Sequence, residues 1–342
     1  MAAPIDISVV VPFYNEQQVA REFHRRLSAV MEKLDGAITW EAVYVDDGSV
    51  DGTLEVLKEA QRTDDRVIVV ELSRNWGHQP AVMAGLCTSR GRAVVLMDGD
   101  LQDPPEVIPD LLAAWREGGQ VIIGRRRSRA ERGVRRWMFG AFYAVLGFLT
   151  DYPIPLNAGI FGLLDRRVVD AIARMTETNR YLPGLRSYAG FAQRVVSYDR
   201  AERAGGEPKQ TFGRLLKYGL DAIFSFSYKP LRLATLLGVL VAALAVVYGV
   251  ALVVFRLLDT GMFGIPVVDG YTSTIVSVLI LGALQLITIG ILGEYLGRVY
   301  DEVKRRPLFL ISEIHASDPT LRDAVMARAQ AGTRGASQGS SS

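Results

Sequence analysis

Residues 235–255, TLLGVLVAALAVVYGVALVVF, contain no charged side chain, and as one helix they are long enough to cross the roughly 30 Å hydrocarbon core of a bilayer. A second run of the same kind covers residues 273–293, STIVSVLILGALQLITIGILG. Buried helices of soluble domains seldom stay so uniformly apolar, so the pair predicts a two-helix transmembrane hairpin over 234–297. Flanking charge orients it: Lys229 and Arg232 precede the first span, Arg298, Lys304, Arg305 and Arg306 follow the second, and Arg256 is the one cation between them. By the positive-inside rule both ends face the cytoplasm. The hairpin holds little polar side chain with which to conduct or transport, and Gln285 reads as an interhelical hydrogen-bonding group. The hairpin is therefore expected to be an anchor.

The first 210 residues have a different periodicity. ISVVVP (7–12) is a short β-branched run followed by a charged, helix-spaced segment over 16–34. The unit recurs: WEAVYVDD (40–47) precedes a helical 53–62, RVIVVELS (66–73) precedes 78–89, and RAVVLMDGD (92–100) precedes 105–117. Such alternation implies an α/β domain with a mostly parallel sheet. The polar motifs fall at the carboxyl ends of these strands, where open α/β sheets bind ligands. The segment 211–233 mixes Arg214, Lys217, Lys229 and Arg232 with Phe and Leu, as a juxtamembrane amphipathic helix does. Residues 298–342 read as a cytoplasmic tail that from Ala327 on, with AGTRGASQGSSS at its end, is small and polar and expected to be disordered.

Charge totals exclude some classes. With 39 Lys+Arg against 37 Asp+Glu the net charge is +2, which argues against a nucleic-acid partner. The single cysteine, Cys87, allows neither an intrachain disulfide nor a Cys-rich zinc site, and its apolar setting predicts a buried thiol. The N-terminus lacks the basic start and apolar stretch of a secretory signal, so the first half of the chain is expected in the cytoplasm.

Asp98-Gly99-Asp100-Leu101-Gln102-Asp103 stands where the fourth apolar strand opens into solvent. Two carboxylates one residue apart, with Gln102 as a neutral oxygen, can hold a hard divalent cation against a diphosphate; acids also end strands, and Asp103 before Pro104-Pro105 reads equally as a helix cap. No cation lies beside these acids in sequence, so a metal is the expected compensation for their repulsion. In Asp46-Asp47-Gly48-Ser49-Val50-Asp51-Gly52-Thr53, Asp47 suits a nucleobase or ribose and Asp51 a structural cap. Pro12-Phe13-Tyr14-Asn15-Glu16 offers a ring for a base and a carboxylate for ribose. The basic run Gly124-Arg125-Arg126-Arg127, with Arg129, Arg132, Arg135 and Arg136, leads into the apolar stretch WMFGAFYAVLGFL (137–149). It is either a solvated face or a site for an amphiphile with an anionic head. Arg203-Ala-Gly-Gly-Glu-Pro-Lys209 is a cationic loop or a plain linker.

Taken in order, VVPFYNE, VDDGSVDGT, SRNWGHQPAVMAGL, MDGDLQDPPE, RAGGEPK and the two spans resemble family 2 glycosyltransferases with a GT-A fold. The resemblance is to the polyprenyl-phosphate branch, that of dolichyl-phosphate mannose synthases and bacterial undecaprenyl-phosphate glucosyltransferases. It implies that Pro12, Tyr14, Glu16 and Asp47, with Gly99 and Arg126, bind the nucleotide sugar. It implies Asp98, Asp100 and Gln102 as ligands of Mg2+ or Mn2+, and Asp98, Asp100, Arg203 and Lys209 as the catalytic set. Arg126 and Arg135 would meet the acceptor phosphate. Two departures fall in the acceptor region: Gly159-Ile160-Phe161 where many relatives read Gly-Asp-Phe, and Pro208 where Ser is usual.

The implied reaction is metal-dependent, inverting transfer of a hexose, with UDP-glucose as the expected donor, to a polyprenyl (undecaprenyl) phosphate at the plasma (inner) membrane, for cell-envelope glycosylation. GDP-mannose is the alternative donor. Processive polysaccharide synthases carry a Q-x-x-R-W motif that this sequence lacks, and a binding-only membrane scaffold leaves the co-occurrence of the acidic and cationic motifs unexplained. Membrane lipid and a second copy of the chain are the other expected partners.

Overall fold

The computed structural model describes residues 5–34, 36, 38–126, 159–175, 177, 180–199, 229–257 and 270–334. Eight strands form one sheet in the order β7-β5-β6-β4-β1-β2-β3-β8. β1 (Ile7–Phe13), β2 (Trp40–Asp46), β3 (Val67–Leu72) and β4 (Ala93–Leu96) are mutually parallel, with β1 between β2 and β4. β5 (Val121–Arg126) and β7 (Gln193–Tyr198) pair in parallel at one edge. β6 (Gly162–Asp165) lies antiparallel between β4 and β5, and β8 (Ile311–His315) lies antiparallel to β3 at the other edge. Six strands therefore run the same way and end on one rim, at Phe13, Asp46, Leu72, Leu96, Arg126 and Tyr198.

Every residue of β1 and β2 is buried, as expected of central strands covered on both faces. On one face α1 (Gln17–Glu32) buries Ala20, Phe23, Leu27, Val30 and Met31, a stripe at helical spacing. Phe13, Phe23 and Tyr44 meet edge to face with ring centroids 5.5–6.3 Å apart. α2 (Thr53–Thr63) packs beside α1. On the other face α3 (His78–Thr88) is buried at every position from Ala81 to Thr88, Cys87 among them. It lies close because Gly85 has no side chain: a β-carbon there would stand 2.2 Å from Val10 Cγ1. α4 (Ile108–Arg116), after a 3-10 turn at Pro105–Val107, covers β5 and β6; α5 (Arg166–Arg174) and α6 (Leu182–Tyr188) follow β6.

The segment expected to be a tail instead completes this unit. β8 adds to the sheet, Ser73 N–H donates to Leu310 C=O, and α9 (Pro319–Arg334) packs on α3 and α5 with Val325 and Ala329 buried. Its physical cause is burial: Phe309, Ile314, Val325 and Ala329 are apolar side chains that water does not hold in a free tail. Of the stretch from Ala327 expected to be disordered, residues 327–334 instead form the end of α9, and residues 335–342 lie outside the described residues.

The chain divides into two compact units, and the second contains α7 (Lys229–Leu257) and α8 (Gly270–Val303). Leu231–Tyr248 and Ile280–Val303 are long and apolar enough to cross a membrane, and neither is buried. The two helices face each other through Gly238, Ala242 and Ala245 on α7 and Leu284, Gln285 and Thr288 on α8. Of the expected interfacial segments, 137–149 and 211–228 lie outside the described residues, and 229–233, expected in the juxtamembrane helix of 211–233, form the start of α7.

Candidate active site

Two acidic turns open on the rim. In the first, Asp46 Oδ2 accepts from Ser49 N–H at 3.1 Å, and Gly48 turns the chain at φ +66°. A β-carbon on Gly48 would stand 2.4 Å from the backbone of Arg74, so glycine is required there. Asp47 is 3% exposed, and its two oxygens accept from the backbone N–H groups of Trp76 (2.7 Å) and Gly77 (3.0 Å). Burial raises the pKa of both carboxyls, against the lowering effect of these hydrogen bonds. Asp51 accepts from Thr53 N–H at 3.0 Å, the structural role read from its spacing. The Tyr14–Glu16 turn is stitched to this one. Asn15, in the left-handed region at φ 55°, accepts from Val50 N–H, its own N–H donates to Ser49 Oγ, and Glu16 N–H donates to Thr53 Oγ1. Pro12 is buried within β1, Glu16 is half-buried, and the Tyr14 ring is 44% exposed at the strand end.

In the second turn the carboxylates meet side chains. Asp98, 33% exposed, takes a 2.8 Å hydrogen bond from His78 Nε2 at the start of α3. Burial opposes a charge on this imidazole, but the hydrogen bond and charge of Asp98, with Asp47 and Asp100 beyond, hold its pKa above the usual histidine value. Asp100 accepts from Gln102 N–H at 3.0 Å. Leu101 between them sits at φ 59°, strain of the kind that collects at functional turns. Gly99 lies flat on Phe13; a β-carbon would approach that ring to 2.4 Å. Gln102 is 5% exposed and Asp103 1%. Asp103 does not cap the following helix: it accepts from Tyr198 Oη and pairs with Arg126 Nη2 at 3.3 Å, while Arg126 Nε donates to Tyr198 Oη at 3.2 Å. Arg126 and Tyr198 are register partners at the ends of β5 and β7. Burial works against the charge of Arg126, and Asp103 and Tyr198 outweigh it, raising its pKa.

The acids thus have basic neighbours after all, His78 and Arg126, supplied by the fold across 20 and 23 residues of sequence. The structure brings Pro12, Tyr14, Glu16, Asp47, Asp98, Gly99, Asp100, Gln102 and Arg126 to the carboxyl-end rim. Arg135, Arg203 and Lys209 lie outside the described residues. Sequence reasoning missed His78, the first residue of α3, and Tyr198, the last residue of β7.

Among solved structures, glucosyl-3-phosphoglycerate synthase from Mycobacterium tuberculosis, crystallised with Mn2+, uridine-diphosphate-glucose and glycerol 3-phosphate, is similar at TM-score 0.43 and 18% identity, over 65% of this chain and 79% of that one. The glycosyl transferase family 2 profile matches residues 8–173. An uncharacterized glycosyltransferase of Synechocystis sp. is 42% identical over 311 residues, 91% of this chain and 96% of its own. A prophage-derived bactoprenol glucosyl transferase of Shigella flexneri is 38% identical over 314 residues, 92% and 99% of the two chains. With relatives this similar over almost their whole length, and with acidic turns at the strand ends of a mostly parallel GT-A-type sheet, the chain belongs to glycosyl transferase family 2.

Proposed function

We propose that this protein is a membrane-anchored glycosyltransferase that moves a hexose from a nucleotide sugar, UDP-glucose as the best candidate, to polyprenyl (undecaprenyl) phosphate, with inversion, for cell-envelope glycosylation. The observation that carries this reading is the conjunction in one chain of a carboxylate turn on the sheet rim with two helices long enough to cross a bilayer. Relatives named bactoprenol glucosyl transferase support the lipid acceptor and the glucosyl group. The flanking cations of the spans favour a catalytic unit and C-terminus on the cytoplasmic side.

Asp98 and Asp100 present hard carboxylate oxygens on a partly exposed turn, the donor type that Mg2+ and Mn2+ take, and they would hold such an ion, with Gln102 as the neutral third group. When bound, a divalent cation there would neutralise the donor diphosphate and favour its departure. Tyr14 offers its exposed ring to the base and Glu16 its carboxylate to the ribose. Asp47 fixes the Trp76–Gly77 backbone that faces the same space, and each of its oxygens keeps a lone pair for a donor N–H. His78 holds the Asp98 carboxylate in one orientation. Arg126 and Arg135 would meet the acceptor phosphate, and Arg203 and Lys209 the departing diphosphate. No carboxylate is asked to move a proton, because a phosphate monoester with a second pKa near 6 is already largely dianionic at neutral pH. Its oxygen attacks the anomeric carbon as the nucleoside diphosphate leaves, so one displacement inverts that centre.

The test is a donor panel: membranes holding the full chain, undecaprenyl phosphate, and labelled UDP-glucose or GDP-mannose in turn. Label from UDP-glucose is expected in an organic-soluble monosaccharide lipid. Label from GDP-mannose alone would replace glucosyl by mannosyl transfer, polymer would indicate a synthase, and no product from any donor would overturn the proposal.

A further inference from the structure

Arg186, on α6, is 1% exposed and, among the described residues, the largest fully buried side chain. Its Nη2 donates to Gly159 C=O at 3.0 Å, while Nε and Nη1 have no hydrogen-bond partner. Among the described residues no carboxylate pairs with it. Folded chains seldom bury a guanidinium without a counter-charge, because desolvation is then uncompensated. Burial lowers its pKa to about 10, which still leaves it cationic at neutral pH.

Its position gives this group a use. Gly159 lies between two arginines: a β-carbon built on it would stand 3.9 Å from Arg126 Nη2, on a residue whose carbonyl Arg186 holds. Ile160 and Phe161, which follow, are buried and apolar, so this segment brings no carboxylate to either arginine. Gly162, next again, is the register partner of Leu96, two residues before Asp98. The start of α6 reaches the same rim, with Leu182 N–H donating to Gln79 Oε1 beside His78. Arg126 is already paired with Asp103, whereas Arg186 is not paired. Nε and Nη1 flank Nη2 on the planar guanidinium, so with Nη2 released from the Gly159 carbonyl the Nε–Nη2 edge is the fork that phosphate oxygens fit. One neutral carbonyl is a weaker partner than such an anion, so a phosphate reaching Gly159 can draw the fork to itself.

We propose that Arg186 is a phosphate-binding residue of this active site, the Nε–Nη2 edge of its guanidinium taking oxygens of a substrate phosphate beside Arg126. This rests on the reading of the site as one that joins a phosphorylated donor to a phosphorylated lipid. The phosphate belongs either to the lipid acceptor or to the donor diphosphate, and the two sources separate experimentally.

The test compares full-length wild type with Arg186→Met, which keeps length without charge, and Arg186→Lys, which keeps charge without the fork. Melting is followed alone, with farnesyl phosphate, and with UDP, and KM is measured for each substrate. Without ligand the Met variant is expected to melt no lower than wild type, since an unpaired buried charge is gone. It should lose the stabilisation given by one probe and show at least a tenfold higher KM for the matching substrate, with kcat within about threefold; Lys should recover part of the loss. Loss confined to farnesyl phosphate assigns the acceptor phosphate, and loss confined to UDP the donor diphosphate. Equal stabilisation of wild type and Met variant by both probes, or of wild type by neither, overturns the proposal. A wild type that is stabilised by farnesyl phosphate yet forms no lipid product would defeat the transfer reading while the melting comparison still decides Arg186.

Discussion

The two acidic turns look alike in sequence, each an apolar strand running into Asp, Gly and Asp, yet the fold uses them differently. In the turn after β2 the carboxylates of Asp46, Asp47 and Asp51 accept mainly from backbone N–H groups and fasten three loops together. In the turn after β4, Asp98 and Asp103 bind side chains, His78, Arg126 and Tyr198, and Asp98 remains a third exposed. A carboxylate tied to backbone cannot change partners without moving a loop. One tied to a half-exposed imidazole can release it by a side-chain rotation. The first turn therefore fastens loops at the rim, and in the second the partner of Asp98 is a side chain that can rotate.

That division predicts different responses to the same kind of change. Asp98→Asn or Asp100→Asn should cost turnover about 100-fold or more, the size seen when a charge-stabilising group is lost, with melting close to wild type; full activity in Asp100→Asn would remove its assigned role. Asp47→Ala should behave in the opposite way, leaving two buried N–H groups without an acceptor at a cost of about 1–3 kcal/mol each at most, visible as a lower melting temperature together with a raised donor KM. Unchanged melting would mean that the Trp76 loop is held by something else. The smallest effect belongs to His24, which is hydrogen-bonded to Tyr44 and whose pKa burial lowers. Its folded pKa lies below the unfolded value near 6.5, so the stability linked to its neutral form is complete above that value and is lost as pH falls through the folded one. Replacing it by Gln should flatten the decline in melting temperature between pH 7 and pH 5, and an unaltered slope would assign the decline to other groups.

The strands β1 to β4 and the helices after them were legible because each is local, an apolar run with period two or continuous burial followed by a stripe at helical spacing. β4 is shorter than its apolar run: pairing stops at Leu96, and the chain turns at Asp98–Asp103. β6, β7 and β8 were not legible, since their pairing partners lie far off in sequence and β7, largely exposed, carries no continuous apolar signal. The same distance hid Tyr198, which reaches Asp103 across 95 residues. Residue types at the site were readable from composition at strand ends; which acid meets which base was decided by sheet order.

The most direct test of the account uses purified full chain with UDP-glucose and undecaprenyl phosphate, following the anomeric configuration of the lipid product with and without chelator. The account predicts one lipid-linked glucose of inverted configuration whose formation stops on metal removal, returns with Mg2+ or Mn2+, and is absent in Asp100→Asn. Retained configuration, or undiminished product in chelator, would contradict it.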